Sequence, residues 1–582
     1  MNHEWFEDVR VLLGLEARGC SGPALMNDTG PDNGFLIRQM AQSDARPRAS
    51  SFMREVCKRV AFGYNMRKYV RNGVPGLNVA YIDDFCYYHT RLDTPENVSL
   101  ASLQHHGQYT LGLARQLGNV SLENVTAPDA TYFNTLGSWM VIYPRSWGGP
   151  MAAVVLLLLV LVLGFGLVKK RLSVWQMLAG PGVYLLSMLL ALLVTVPLAY
   201  LTFVQFREHA LYRNNSIALS FVLVGAGMYV LMARLLGNRV RPQNLLAGTL
   251  IVWAAFLVVL QTMFPGGAYV ALWPLLFSTA GLVVMLLSCG AGHPVERAVF
   301  FSGLFALPGI ILLVPGLVMF SYALTALAVP ALLFVILPVV SLLLPQMTLI
   351  SLRRQTSVGL GLLALGGIVY GYAFLSNTPS PERPRQNFLS YAVNFDTGEA
   401  WWISGDQKTD EWTRQFFPEG TPRVSIEDIT GKEDGHTYLR ASAPAPPFGK
   451  TILEKRGDSI KDGHRMLTLF VDSPRHARRI ELALESHVEV YRAKALGVEM
   501  EGGAKKWRLV LQIMPCEGGE IELELEPDKP VKFSVREVSF SLPEWDALPP
   551  RPDWMMTETN RVLDRSKSLN SNHAYSSVTY EF

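Results

Sequence analysis

The sequence predicts a multidomain chain with an α/β segment at residues 1–130, a polytopic α-helical membrane block of about eight spans at 151–375, and an all-β, sandwich-like domain at 388–550. Three observations predict this. Strand-like and helix-like runs alternate before residue 130, long apolar stretches fill the middle of the chain, and period-two alternation dominates after residue 387. Residues 131–150 and the Pro-rich 376–387 read as linkers, and 551–582 as an irregular tail.

Composition sets the outer bounds. Of 582 residues, 49% are hydrophobic and 17% charged, too apolar for a set of soluble domains and too polar for a membrane protein throughout. The net charge is +3, and no cluster of Lys and Arg interleaved with aromatics marks a nucleic-acid surface. Cys20, Cys57, Cys86, Cys289 and Cys516 are scattered without metal-site spacing and read as ordinary thiols.

Within the block, apolar stretches at 151–168, 177–203, 217–237, 245–265, 269–291, 298–322, 325–347 and 356–375 are each long enough to cross the bilayer as a helix. The loops carry an orientation signal. Odd-numbered loops hold nine cations (Lys169, Lys170, Arg171, Arg234, Arg239, Arg241, Arg297, Arg353, Arg354), and even-numbered loops hold two, Arg207 and Arg213. Since Lys and Arg are retained in the cytoplasm during insertion, both soluble segments are expected on the non-cytoplasmic side. Essentially no ionisable residue lies within the spans, which argues against an ion-coupled transporter. Pro308, Pro315, Pro330, Pro338 and Pro345 are consistent with broken helices around a site, but read in preference as kinks in packing helices.

In the α/β segment, residues 9–16 (VRVLLGLE) read as a strand ending in the carboxylate of Glu16, followed by a Gly-rich turn. Residues 75–84 (PGLNVAYIDD) form a second strand, with Tyr88 and His89 beyond its exit. Phe52, Val56 and Val60 mark one helix, and Leu100, Leu103, Leu111 and Ala114 mark the apolar face of another at about 99–117. Such alternation implies a mainly parallel sheet with its ligand crevice at the carboxyl ends of the strands, where Glu16 and His89 fall.

The segments LEARGCSGPALM (15–26), TGPDNG (29–34), GVPGLN (73–78) and YYHTRLDTPENVSLASLQHHG (87–107) together resemble the dinuclear-zinc aminopeptidase family. The branch resembled is the membrane one that includes the endoplasmic-reticulum metallopeptidases and the fungal vacuolar membrane proteases. Later segments, DTGEAWWIS (396–404) and VREVSFSLPE (535–544), extend the resemblance over most of the chain. The resemblance implies that Glu16 is the carboxylate ligand of one zinc, His89 the imidazole ligand of the other, and Tyr88 the hydroxyl donor that stabilises a tetrahedral intermediate. It also implies a peptide substrate, with the lipid bilayer as the other partner.

The sequence departs from that family in three ways. It contains no His-x-Asp motif, which supplies one ligand and the bridging carboxylate, and no Glu-Glu pair, which supplies the general base and another ligand. Only fifteen residues precede Glu16, so the amino-terminal half of the catalytic domain and its membrane anchor are expected to be missing. Tyr64-Asn65-Met66 stands where the family carries a Thr-Asp-aromatic or Ser-Asp-His triplet.

Beyond the Pro-rich linker, RIELALE (479–485), KWRLVLQI (506–513) and EIELELE (520–526) read as antiparallel strands. Trp401, Trp402 and Trp412 read as core, and His436, His464, His476 and His487 show no metal spacing. The expected function is a membrane zinc metallopeptidase of aminopeptidase type, inactive as this chain stands. A catalytically dead membrane scaffold is the alternative. Asn97, Asn119 and Asn124 open glycosylation tripeptides, but the compartment expected is a bacterial inner membrane in preference to a eukaryotic internal one.

Overall fold

The computed structural model describes residues 4–59, 66–206, 212–237, 239–288, 294–325, 327–431, 435–501, 507–512, 517–545, 548–558 and 569–582. Val60, Tyr64, Asn65, Arg207, Cys289, Cys516 and the strand ends Lys506 and Ile513 lie outside the described residues. The chain divides into two compact units, residues 1–88 with 92–378 and residues 89–91 with 379–582.

The first unit begins with β1 (Leu12–Ala17), β2 (Leu25–Thr29), α1 (Gly34–Gln42), α2 (Ser51–Arg59), α3 (Met66–Arg71), β3 (Gly76–Tyr81), α4 (Leu100–Gly118), β4 (Ala130–Asn134) and β5 (Met140–Pro144). The sheet order is β1-β3-β2. β3 is central and buried at every position, as its apolar run requires, and runs parallel to β1. The sheet is nevertheless mixed, because β2 pairs antiparallel with β3. This strand has the sequence LMNDT, whose polar residues carry no strand pattern.

Two further expectations are corrected here. Residues 131–150 are not a linker, since β4 and β5 form a hairpin and the first long apolar helix begins directly after it. α4 lies where expected, with Ser99 as its N-cap, but Leu100, Leu103 and Leu111 are exposed. The buried face carries Ser102, His106, Tyr109, Gly112 and Leu113 instead. The reason is close approach: a Cβ on Gly112 would lie 2.8 Å from the Ala45 backbone nitrogen, so the smallest residue marks the packed side.

The membrane block contains α5 (Gly148–Val168), α6 (Val174–Met177), α7 (Ala179–Phe206), α8 (Asn214–Gly237), α9 (Pro242–Met263), α10 (Tyr269–Ser288), α11 (Val295–Leu304), α12 (Leu307–Ala323), α13 (Leu333–Ser341), α14 (Leu344–Met347) and α15 (Leu352–Leu375). Among the described residues, six helices are long and apolar enough to cross a membrane, or up to seven with the bent pair α11–α12. The chain is therefore a multi-pass membrane protein, but eight continuous spans are not found. The stretch expected at 298–322 is split by a 46° bend between α11 and α12. The stretch expected at 325–347 is divided into a 3-10 turn and the short helices α13 and α14.

Proline explains both breaks. Its ring removes an N–H from the ladder and clashes with the preceding turn, so Pro308, Pro330 and Pro345 each stand in the first turn of a new helical piece, whereas Pro315 and Pro338 lie inside α12 and α13. Broken backbone is tolerated at membrane depth where protein covers it. Leu332, Leu333 and Leu337 accordingly have at most 1% exposure.

Elsewhere the block packs through small residues. A Cβ on Gly248 of α9 would lie 2.0 Å from the Met177 carbonyl oxygen, and one on Gly180 of α7 would lie 2.6 Å from the Thr249 nitrogen. Such contact places backbone against backbone and leaves no room for a side chain.

The second unit is built from β6 (Arg385–Asn387), β7 (Ser390–Asn394), β8 (Glu399–Ser404), β9 (Arg423–Val424), α16 (Glu427–Thr430), β10 (Tyr438–Ser442), β11 (Ile452–Lys461), β12 (His464–Asp472), β13 (Arg479–Leu484), β14 (Val490–Ala495), β15 (Val498–Glu501), β16 (Arg508–Gln512), β17 (Gly519–Leu525), β18 (Lys532–Ser539), β19 (Met555–Thr557) and β20 (Ala574–Glu581). An eight-stranded sheet, β16-β13-β18-β20-β7-β8-β10-β9, and a five-stranded sheet, β11-β12-β17-β14-β15, share one core. Leu469 and Leu523 meet Leu482 and Phe533 there. Trp402 and Trp412 are buried, as read. Residues 551–582 are not an irregular tail, because β20 lies between β18 and β7 inside the larger sheet. Its sequence AYSSVTYE carries too few apolar residues to show alternation, and pairing on both sides supplies what patterning does not.

Replacing Gly248 by Val is expected to destabilise the block by at least the about 1–3 kcal/mol typical of overpacking. Thermal unfolding in detergent should show this as a lowered midpoint. An unchanged midpoint would contradict the close α9 contact.

Candidate functional site

Parallel pairing of β1 with β3 brings two strand exits together. Glu16 sits opposite Ala80 and Ala17 opposite Tyr81, so the turns after each strand meet at one end of the sheet. A backbone clasp joins them: Cys20 and Ser21 donate their N–H groups to the Asp83 carbonyl at 3.1 and 3.2 Å, and Asp83 donates back to Ser21 at 3.1 Å. Gly19 makes the clasp possible, since a Cβ there would lie 2.0 Å from the Asp83 carbonyl oxygen.

Glu16 is half-buried on β1. Tyr88 closes the 3-10 turn Phe85–Tyr87, its N–H bonded to the Phe85 carbonyl at 3.1 Å and its ring stacked on Phe85 at 5.8 Å. The Arg18 guanidinium covers the same Phe85 ring at 4.4 Å. His89 follows in the left-handed region with φ 57° and is exposed. Glu16 and Tyr88 belong to the first compact unit and His89 to the second.

The sequence reading did not single out Asp83 and Asp84, although two consecutive acids at the exit of an apolar strand were a visible signal. Ser21 donates its hydroxyl to Asp84 Oδ2 at 2.5 Å, and Asp84, at φ 55°, donates its N–H to Asp83 Oδ1 at 2.9 Å. Burial, with the neighbouring Asp84 carboxylate, raises the Asp83 carboxyl above its ordinary range against the Asp84 backbone N–H, which lowers it. Asn215, at the start of α8, donates weakly to Asp83 at 3.5 Å, and Tyr212 meets Tyr87 edge-on at 6.4 Å. The carboxyl end of the sheet thus abuts the membrane block.

Cys20, Cys57 and Cys86 are buried and unbridged. Burial, aided by nearby carboxylates, pushes the Cys20 thiol up to about 11 and the Cys86 thiol up to about 12. The protonated form of both thiols is thereby favoured, which makes them poor nucleophiles. Among the described residues, no group of three or more His, Cys, Asp or Glu side chains is placed to share a metal ion. The donors that the described residues bring together therefore do not fit a pair of zinc ions, since a catalytic zinc normally takes about three protein ligands.

An ionic network fixes this segment on the membrane block. Glu55 of α2 is 3% exposed and meets Arg59 at 3.1 Å and Arg145 at 3.2 Å. Asp129 meets Arg54 and Arg145, each at 3.1 Å. Arg145 opens the first long apolar helix, so one guanidinium ties both carboxylates to it. Next to this network, Ser51 donates its hydroxyl to the Gly266 carbonyl at 2.6 Å, and Arg59 donates to the Met263 carbonyl.

With this geometry in view, comparison with known proteins is informative. Residues 1–114 match Peptidase family M28. The chain is 27% identical over 234 residues to the rat "Endoplasmic reticulum metallopeptidase 1", covering 38% of this chain and 26% of the relative. It is 28% identical over 151 residues to the Caenorhabditis elegans "Putative endoplasmic reticulum metallopeptidase 1-B", covering 25% of this chain and 17% of the relative. To the "Vacuolar membrane protease" of Saccharomyces cerevisiae strain YJM789 it is 27% identical over 138 residues, covering 23% of this chain and 14% of the relative. The chain thus spans about a quarter or less of the length of these relatives. No solved structure gives a significant match. The M28 segment contains Glu16, Asp83, Asp84, Tyr88 and His89. The resemblance to membrane zinc metallopeptidases is therefore shown where the candidate site lies. These relatives are eukaryotic and lend no support to the bacterial expectation.

The Asp129 carboxyl yields a pH test of the ionic network. Burial pushes it up, but the Arg54 guanidinium and further cations hold it net below the ordinary carboxylate value. Its stabilisation is then fully present above the unfolded value of about 3.9 and is lost as pH falls through the lower folded value. Asp129→Asn should cost about 3 kcal/mol at neutral pH, and the gap to the parent should close only below about pH 4. Denaturant unfolding of both proteins across that range measures it.

Proposed function

We propose that this chain carries part of a membrane zinc metallopeptidase of aminopeptidase type, which acts on peptides at the bilayer surface. The observation that carries the proposal is the M28 match over residues 1–114, a stretch of sequence that contains Glu16, Tyr88 and His89. Glu16 would serve as the carboxylate donor to one zinc and His89 as the imidazole donor to the other. Tyr88 would donate its hydroxyl to a developing oxyanion. The centre needs donors beyond those the described residues bring together, so the 582-residue chain by itself is proposed to be inactive. The bilayer-surface substrate is supported by the contacts of Asp83 and Tyr87 with residues 212–215.

That same lack of a donor cluster favours a second reading, a membrane scaffold without catalysis. Co-expression with a polypeptide that carries the His-x-Asp and Glu-Glu motifs separates the two. The peptidase reading expects tightly bound zinc and cleavage of aminoacyl reporter substrates. Both should fall in Glu16→Ala and His89→Ala by more than the about 10–100-fold typical of outer-shell changes. Absence of zinc and turnover in the combined protein would favour the scaffold. Zinc-dependent turnover by the 582-residue chain alone would show that its donors are complete.

We also propose that the segments before residue 150 and after residue 376 lie on the non-cytoplasmic side, supported by the nine-to-two distribution of cations between alternate loops when the broken stretch 325–347 is counted as one of eight crossings. Cysteines introduced at the exposed Glu123 and Glu411 should both react with an impermeant maleimide from that side in sealed vesicles. Reaction of one without the other would overturn this topology.

A further inference from the structure

An apolar cavity lies where the M28 segment meets the broken helices. Its roof includes Leu25, Phe52 and Met53, and its floor includes Leu312, Gly316 and Met319 of α12. Its volume is about 120 Å³. One wall is the stacked pair Phe133 and Tyr269, with centroids 4.2 Å apart and planes 8° apart. Phe52 and Phe320 pack at 5.9 Å across the junction.

The few polar groups in the lining are occupied by protein. The Ser50 hydroxyl and the Tyr269 hydroxyl bond each other at 2.7 Å. Asn134 accepts from the Ala49 N–H at 2.7 Å and donates to the Pro47 carbonyl at 2.9 Å. The Arg48 guanidinium donates to the Gly137 carbonyl. Each of these groups already has a protein partner, and the rest of the lining is hydrocarbon, so little is offered to a water molecule that needs two to four polar partners to settle. The space therefore favours hydrocarbon.

Its position determines which hydrocarbon. α12 belongs to the bent apolar pair, and Ile311, Val314 and Val318 on it are 39%, 39% and 44% exposed, so this helix also forms lipid-facing surface. Pro315 both lines the cavity and is exposed, so the cavity is continuous with that surface. What adjoins the opening is acyl chains.

We propose that this cavity holds one acyl chain of a membrane lipid, inserted beside Pro315 and Gly316 and capped by Phe52 and Met53. The chain would fill the gap that the helix break leaves between the M28 segment and the block. The proposal does not depend on peptidase activity.

The test uses the full chain in nanodiscs of phosphatidylcholine that carries a diazirine on its palmitoyl chain, with cross-linked residues mapped by mass spectrometry. Labels are expected on Phe52, Met53 and Met319 as well as on outward residues such as Val318. Gly316→Leu fills the space without a clash, because a Cβ there meets nothing within 4 Å. It should reduce labelling of Phe52 and Met53 about tenfold, equivalent to about 1.4 kcal/mol, while Val318 stays labelled. Met319→Trp, which fills the same cavity from the next turn, should give the same selective loss. Labels confined to outward residues in the parent protein would overturn the proposal. So would undiminished labelling of Met53 in a folded variant, or displacement of the label by a soluble apolar peptide.

Discussion

The arrangement of the first unit depends on α2. In nine residues this helix places Ser51, Phe52, Arg54, Glu55 and Arg59 against two different partners, the mixed sheet and the turn between α9 and α10. Arg54 and Glu55 are buried, and burial of charge is costly unless its partners are present. Glu55 and Asp129 share Arg145, so a shift of the sheet against the first apolar helix would take one cation from each carboxylate. A soluble domain held on a membrane block by loose loops would move on it. One held by a shared guanidinium keeps a fixed orientation.

That orientation has a functional consequence. With α2 seated on residues 263–266, the carboxyl ends of β1 and β3 come to lie beside residues 212–215. The candidate site is thus at the sheet end nearest the membrane, and the same seating encloses the apolar cavity above α12. Glycine supports the arrangement at two scales. Gly19 lets the strand exits touch, and Gly248 with Gly180 lets helices approach to backbone contact, so positions that resemble loop filler in the sequence set the closest distances in the fold.

The glycines also mark where one-dimensional reading loses information. Leu100, Leu103 and Leu111 have helical spacing, yet α4 turns them outward because Gly112 and Tyr109 meet the neighbouring chain more closely. Periodicity identifies the helix but not which side packs when both sides offer a surface. The expected spans at 298–322 and 325–347 failed for a related reason. Hydropathy averages over a window and registers apolar content, whereas proline acts at a single hydrogen bond.

By itself the sequence determined the order of a mixed α/β segment, a multi-pass apolar block and a β-rich end, because hydropathy and periodicity are local properties. It also determined the kinship of residues 1–114 with a metallopeptidase family, since long motifs in a fixed order survive in one dimension. Tertiary structure alone decided the antiparallel β2, the place of β20 inside the larger sheet, the clasp that brings Asp83 to Ser21, and the seating of α2 through Arg145. Each of these joins residues far apart in the chain through hydrogen bonds, ion pairs or close backbone contact. Such pairings leave no periodic trace, because the partner that satisfies a buried group is fixed by the fold rather than by its neighbours in sequence.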